Sequence, residues 1–193
     1  MSSILSLIKR KVFRVNRDRW NYQYDKGLWH GLKALDELGR FSVVVGYIKF
    51  LKPDQPDILE IGCGEGLLQQ RLQQQNYGRF VGLDISDRAI DAARADADPK
   101  CTYLVADMDR YTPEGTFDMI VFSESVYYSK HILKTLQRYS QFLKPDGLFL
   151  ITINQHKHSD TYWTEIMAGV QLVDETVVTT SKGVFDCRVF RPH

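Results

Sequence analysis

A chain of 193 residues with 44% hydrophobic and 25% charged side chains has the size and balance of one globular domain with a sizeable core. Its net charge of +1 leaves no electrostatic footprint for nucleic acid, which is not expected as a partner. Cys63, Cys101 and Cys187 are scattered and odd in number, with no C-x-x-C pair or Cys/His cluster. That argues against a zinc site or a disulfide framework and for a reducing, cytoplasmic compartment with no metal.

The chain opens with Ile4, Ile8, Val12 and Val15 set among Lys9, Arg10, Lys11, Arg14, Arg17 and Arg19, the pattern of a basic amphipathic helix. Its charges follow the first apolar patch, the reverse of a secretory signal. A solvated leading helix is preferred over attachment to anionic lipid. No run approaches the ~18 apolar residues of a membrane span, so no integral membrane segment is expected. Residues 1 to about 52 read as helical, with breaks near Gly27 and Gly39. Leu28, Leu32, Leu35 and Leu38 recur at helical spacing, as do Val44, Ile48 and Leu51. Lys52-Pro53-Asp54-Gln55-Pro56 closes this region. A single domain over 1–193 is expected, with a helical N-terminal extension or lid at 1–52 and a cofactor-binding core at 53–193.

From Asp57 onward strands and helices alternate. Ile58, Leu59 and Ile61 read as a buried parallel strand, and Gly62, Gly64 and Gly66 follow as a tight turn. Leu67, Leu68 and Leu72 mark a helix with a Gln-rich face (Gln69, Gln70, Gln73 to Gln75) that stops near Asn76 to Gly78. Phe80 to Asp84 is a second strand, and Ser86 is placed to cap a helix facing the sheet with Ala89, Ile90 and Ala93. Cys101 to Ala106 and Phe117 to Phe122 are the third and fourth strands. Ser129 is expected to cap a helix carrying Ile132, Leu133, Leu136, Tyr139, Phe142 and Leu143, stopped by Lys144-Pro145-Asp146-Gly147. Leu148 to Ile153 is a fifth strand, a short helix follows around Tyr162 to Met167, and Gln171 to Thr180 with Val184 to Phe190 reads as a closing hairpin. Such alternation implies an α/β fold, a doubly wound and mostly parallel sheet whose ligand lies beyond the carboxyl ends of the strands.

The residues at those ends point to a nucleotide. Asp84 lies 22 residues beyond Gly62, at the tip of the second strand, where an acid accepts hydrogen bonds from ribose hydroxyls. Asp107 closes the third strand, placed to accept from an adenine amino group, with Met108 against the ring. The dinucleotide fingerprint is G-x-G-x-x-G, whereas this turn reads G-x-G-x-G with Glu60 before it and Glu65 inside it. Two carboxylates repel a pyrophosphate and suit a cation. Charge complementarity therefore favours S-adenosylmethionine over a dinucleotide.

Glu60 to Gly66, Gly82-Leu83-Asp84-Ile85-Ser86, Ala106-Asp107 and Leu143 to Leu148 resemble the successive motifs of class I S-adenosylmethionine-dependent methyltransferases. The resemblance covers Asp57 to Ile153, half of the chain. It implies a seven-stranded Rossmann-like sheet whose last strand is antiparallel, the closing hairpin supplying the last two strands. It further implies that Gly62 and Gly64, around Cys63, hold the methionine part, with Glu60 supporting the turn and the cofactor's amino group. Asp84 would bind ribose, Ile85 and Met108 would flank adenine, Asp107 would hold its amino group and Ser123 would sit near the sulfonium. Phe122 to Tyr128, with Glu37-Leu38-Gly39-Arg40-Phe41 upstream, is similar to nodulation-type sugar N-methyltransferases, although Ser125 and Val126 depart from that pattern. This implies a lean toward sugar-like acceptors.

For a general base the candidates are Glu124 and His156, with His131 more structural. Tyr22, Tyr127 and Tyr128 are candidates for an acceptor pocket, with Trp20 and Tyr24 in the same lid, and Arg40 for the cofactor carboxylate. The expected activity is methyl transfer to N or O of a small molecule by a monomer or homodimer. The alternatives are a dinucleotide-dependent oxidoreductase and a non-catalytic module that keeps the cofactor fold.

Overall fold

The computed structural model describes residues 17–72 and 77–193. The leading apolar and basic residues from Ile4 to Arg14, and the predicted helix stop at Asn76, lie outside them. Seven strands form one sheet: β1 (Ile58–Ile61), β2 (Phe80–Asp84), β3 (Cys101–Val105), β4 (Phe117–Ser123), β5 (Leu143–Asn154), β6 (Val170–Thr180) and β7 (Gly183–Pro192). Their order is β3-β2-β1-β4-β5-β7-β6. The first five pair in parallel, and β7 runs antiparallel to both β5 and β6. The predicted seven-stranded, mostly parallel sheet closed by a hairpin is therefore the observed one.

Successive strand residues point to opposite faces, and on β4 both faces are covered. Met119 and Val121 join a layer with Phe41, Val44 and Ile48, whereas Ile120 and Phe122 join one with Leu136, Tyr139 and Trp163. The first layer is roofed by helix α2 (Leu35–Leu51), and by α3 (Leu67–Leu72) and α4 (Asp87–Ala95). The second is roofed by α5 (Ile132–Ser140) and α6 (Ser159–Met167). Ahead of them, α1 (Arg17–Asp25) and a 3-10 turn (His30–Lys33) lead into α2. Ser86 caps α4 as expected, its Oγ accepting from the Ala89 N–H at 3.2 Å.

Several local expectations are corrected. Gly39 does not break the helix. It lies inside α2, where a Cβ would stand 3.2 Å from Val178 Cγ1, so its smallness lets the helix approach β6 closely. Leu35 and Leu38 are exposed, Leu35 by 80%, because α2 buries the face carrying Glu37, Arg40, Phe41, Val44 and Ile48 instead, and Leu28 is exposed in the turn ahead of it. Ser129 does not cap α5, whose first turn follows His131. Its hydroxyl donates to Asp109 at 2.9 Å and ties down the loop after β3. That helix ends at Ser140, and Lys144 to Gly147 form an irregularity within β5, across which the pairing with β4 jumps from Leu143 to Leu148. Among the described residues no helix is long and apolar enough to cross a membrane.

Candidate cofactor-binding site

The carboxyl ends of β1, β2 and β4 open on a cavity of about 300 Å³. The glycine turn forms its floor. Gly62 and Gly64 adopt φ of +76° and +54°, a region that penalises any Cβ. A Cβ on Gly62 would also lie 2.5 Å from Ser125 Cβ, and one on Gly64 would lie 2.9 Å from the Tyr24 hydroxyl. The Gly62 and Cys63 N–H groups both donate to Leu83 O, at 2.7 and 3.0 Å. The Gly64 N–H donates to Asp84 Oδ2 at 3.0 Å. These three donors are spent inside the protein, so this part of the turn is a poor phosphate cradle.

Acids surround it. Asp84 is held by Gly64 and, through Oδ1, by the Ser86 N–H at 2.9 Å. Burial raises its carboxyl pKa, while these backbone donors oppose the shift. Glu60 is buried, lines the cavity, and has one oxygen, Oε2, without a partner among the described residues. Burial pushes its carboxyl well above the ordinary range, with nearby Arg40 countering only part of the effect. A buried carboxylate lacking a partner is costly, and a cationic ligand group would relieve it. The cradle, the acid at the β2 tip and this lone oxygen fit S-adenosylmethionine, whose amino group and sulfonium are cationic.

Arg40 is buried beside them. Its Nη2 and Nε donate to Glu37 Oε2 at 3.0 and 3.3 Å, and its Nη1 donates to Ser123 Oγ at 2.5 Å. The charge predicted to meet a carboxylate is thus already matched by Glu37, one helical turn earlier. Ile85, Asp107 and Met108 line the far side of the cavity. Asp107 Oδ1 accepts from the Asp109 N–H at 2.9 Å, and the Met108 carbonyl accepts from the Tyr139 hydroxyl at 3.0 Å, which fixes this wall. The Cys63 thiol is buried and its pKa pushed well up by that burial, so it is a poor nucleophile.

On the opposite side Glu124 stands at φ +57°, strained for a non-glycine residue. Its Oε1 accepts from Thr152 Oγ1 at 2.8 Å, and Oε2 accepts from the Asn154 N–H at 2.8 Å and the Tyr127 hydroxyl at 3.2 Å. Burial raises its pKa against these donors. Tyr127 and Tyr128 also line the cavity.

Two predicted residues stand apart from the cavity. His156 does not line it; its ring centroid is 6.2 Å from that of Tyr127, and its Nδ1 accepts from the His158 N–H at 3.1 Å. Tyr22 is 60% exposed. Trp20 and Tyr24 line the cavity in its place, since residues four apart share a helix face and those two apart do not. Sequence reasoning missed Trp29, which lines the roof and stacks on Trp20 at 5.7 Å. Trp20 in turn meets Tyr128 edge-on at 4.9 Å. The four-residue spacing of Trp20 and Tyr24 was the available signal for this roof.

Residues 58–147 match the model of a methyltransferase domain. The mitochondrial arginine-hydroxylase NDUFAF5 of Mus musculus is 32% identical over 148 residues, 76% of this chain and 41% of that protein. The ubiquinone biosynthesis O-methyltransferase of Rickettsia typhi is 25% identical over 163 residues, 81% of this chain and 64% of that protein. The chain spans only 28% to 41% of the length of the arginine-hydroxylases of rat, human and mouse. Among solved structures, the N-methyltransferase NodS of Bradyrhizobium japonicum WM9, in complex with S-adenosyl-L-homocysteine, has a similar fold. Its TM-score is 0.69 at 19% identity, covering 85% of this chain and 91% of that one. Magnesium protoporphyrin IX methyltransferase of Synechocystis, with bound S-adenosylmethionine, gives 0.70 at 15% identity, covering 91% and 94%.

Proposed function

We propose that this chain, whose residues 58–147 match the model of a methyltransferase domain and whose fold is that of solved S-adenosylmethionine-dependent methyltransferases, is a class I methyltransferase domain that transfers a methyl group from that cofactor to nitrogen or oxygen of a small-molecule acceptor. One observation carries the reading: the first N–H groups of the glycine turn are consumed by Leu83 and Asp84, while Glu60 Oε2 has no partner among the described residues. That floor favours a cation over a pyrophosphate.

In this reading Asp84 accepts from the ribose hydroxyls, Ile85 and Met108 flank adenine, and Asp107 accepts from its amino group. Gly62 and Gly64, around Cys63, give the methionine part room, and Glu60 faces its amino group. Ser123 stands near the sulfonium, oriented by Arg40. When bound, the cofactor supplies a methyl group on a sulfonium leaving group. The chain's own task is then alignment and exclusion of water. Helix α1 and the turn after it, within the lid segment before the core, bring Trp20, Tyr24 and Trp29 over the cavity for that purpose. Glu124, the predicted base that faces the cavity, accepts the acceptor's proton when a hydroxyl is methylated. His156 is left with an indirect part, through Tyr127. A sugar-like acceptor follows from the likeness of Phe122 to Tyr128 to the nodulation-type enzymes, and the flat faces of Tyr127 and Tyr128 suit such a ring.

Calorimetry with S-adenosylhomocysteine and with NAD tests the cofactor, and a labelled-methyl screen of amino sugars, sugar hydroxyls and phenols tests the acceptor. Binding of S-adenosylhomocysteine, its strong loss in Asp84→Ala, and no NAD binding are expected. Tight NAD binding without S-adenosylhomocysteine binding would favour the oxidoreductase alternative.

A further inference from the structure

We propose that Ser129 and Asp109 are positioning residues for the acceptor: they hang the wall carrying Tyr127 and Tyr128 from the adenine side of the cofactor site, so that a bound cofactor stiffens that wall. The inference rests on the cofactor reading above and extends it to the neighbouring acceptor wall.

Both tyrosines sit on one 3-10 turn, Val126–Tyr128, just after β4. Two backbone hydrogen bonds close it, Tyr128 N–H to Ser125 O at 3.0 Å and Ser129 N–H to Val126 O at 3.1 Å. A single turn of this kind has little rigidity of its own. Val126 is buried in the second layer, but the tyrosines are only half-buried, and their setting depends on how the turn is held at its ends. Each end is a buried serine. Ahead of the turn, Ser125 donates to the Ile61 carbonyl and stands against Gly62. Behind it, Ser129 donates to Asp109 Oδ1 at 2.9 Å. Both anchors therefore belong to the cofactor site, one to the glycine turn and one to the loop after β3.

The rear anchor is built up further. Asp109 Oδ2 accepts from the Lys130 N–H at 3.2 Å, and Oδ1 accepts also from the Thr135 hydroxyl at 3.4 Å. Ser129 Oγ in turn accepts from the His131 N–H at 3.2 Å. Helix α5 grips the same loop from behind, Arg138 donating to the Met108 and Asp109 carbonyls and Tyr139 to that of Met108. A line of contacts then runs from adenine to the tyrosines. The Asp109 N–H donates to Asp107 Oδ1 at 2.9 Å, the carboxylate read above as the partner of the adenine amino group. The Asp109 carboxylate holds Ser129 through a charge-assisted hydrogen bond, and Ser129 directly follows Tyr128. A ligand that fixes Asp107 and Met108 thus fixes one end of the acceptor wall.

The test is amide hydrogen exchange on the full chain with and without S-adenosylhomocysteine, read at residues 126–131, with calorimetry for affinity and thermal melts for folding. In the wild type the ligand should slow exchange there about five-fold or more, the low end of coupling between two sites. Ser129→Ala should bind S-adenosylhomocysteine within about that same factor of the wild type, yet exchange at 126–131 equally fast with and without it. Ser129→Thr, which keeps the hydroxyl, should restore the slowing. A serine that merely braces the turn would, when removed, speed exchange in both states and leave their ratio intact; that result would overturn the proposal. So would an unchanged rate in the wild type, a reading that needs no variant. A larger loss of affinity in Ser129→Ala would make Ser129 a support of the cofactor and overturn its assignment to the acceptor wall. Failure of the wild-type chain to bind S-adenosylhomocysteine would instead overturn the cofactor reading itself.

Discussion

Gly62 and Glu60 stand two residues apart and are constrained for opposite reasons. At Gly62 a side chain has neither the dihedral nor the room, with Ser125 Cβ 2.5 Å from where a Cβ would sit. Gly62→Ala should therefore cost about 2–4 kcal/mol of stability, measurable as a lower urea midpoint. Glu60 has room but a buried carboxyl whose pKa is raised by burial, with Arg40 and Arg71 lowering it and Asp84 raising it. The unfolded chain releases that proton first as pH rises. The stability Glu60 contributes is thus full below the ordinary carboxylate range and is lost as pH climbs through its raised folded pKa. Thermal melts from pH 4 upward should show the wild type falling relative to Glu60→Gln, which has no proton to lose. Asp84 and Asp107 were legible because strand ends followed by acids mark the ligand edge. Trp29 was not, since nothing in one sequence shows that a distant loop folds back over that edge.

At the scale of elements, the predicted strands match well because buried parallel strands write themselves as short apolar runs bounded by turns. The leading helices were harder to read. A leucine stripe reports a face, not whether anything covers it, and the covered face of α2 carries Glu37 and Arg40, which disguise it as polar. Their mutual pairing is what makes that face buriable. Helix α4 shows the reverse situation, a polar residue whose role was written plainly. Ser86 Oγ accepts from the Ala89 N–H and donates to Asn21 Oδ1 of α1 at 2.7 Å. Ser86→Ala removes a helix cap and a tether together, and should lower stability by about 1–2 kcal/mol in chemical denaturation.

For the molecule as a whole, the sheet order follows from two habits of chains: crossovers between parallel strands and a tight hairpin at the end. Placing β7 between β5 and β6 completes the sheet, yet leaves β6 exposed over most of its length at the edge. Alternation could announce the parallel core, but not which hairpin strand lies inside; the resemblance implied only that the last strand is antiparallel. The site shares this division. Its floor lies in the motif-bearing core, and its roof comes from a segment whose sequence has no such motif.

That roof is held differently from everything beneath it. None of the nine residues of α1 is buried, and its polar tethers include Arg17 to the Ile85 carbonyl at 3.1 Å, Asn21 to Ser86, and Asp25 to Arg88 at 3.3 Å. These three reach the β2 tip or the start of α4, while the Trp20 ring rests edge-on against Tyr128. Such a helix can lift without disturbing the sheet, so its opening free energy sits far below that of global unfolding. Amide hydrogen exchange should be fast at residues 17–25 and slow in β1 and β4. Adding S-adenosylhomocysteine should slow the first group and leave the second unchanged. The rate at which that helix lifts would then set an upper limit on how quickly spent cofactor can leave.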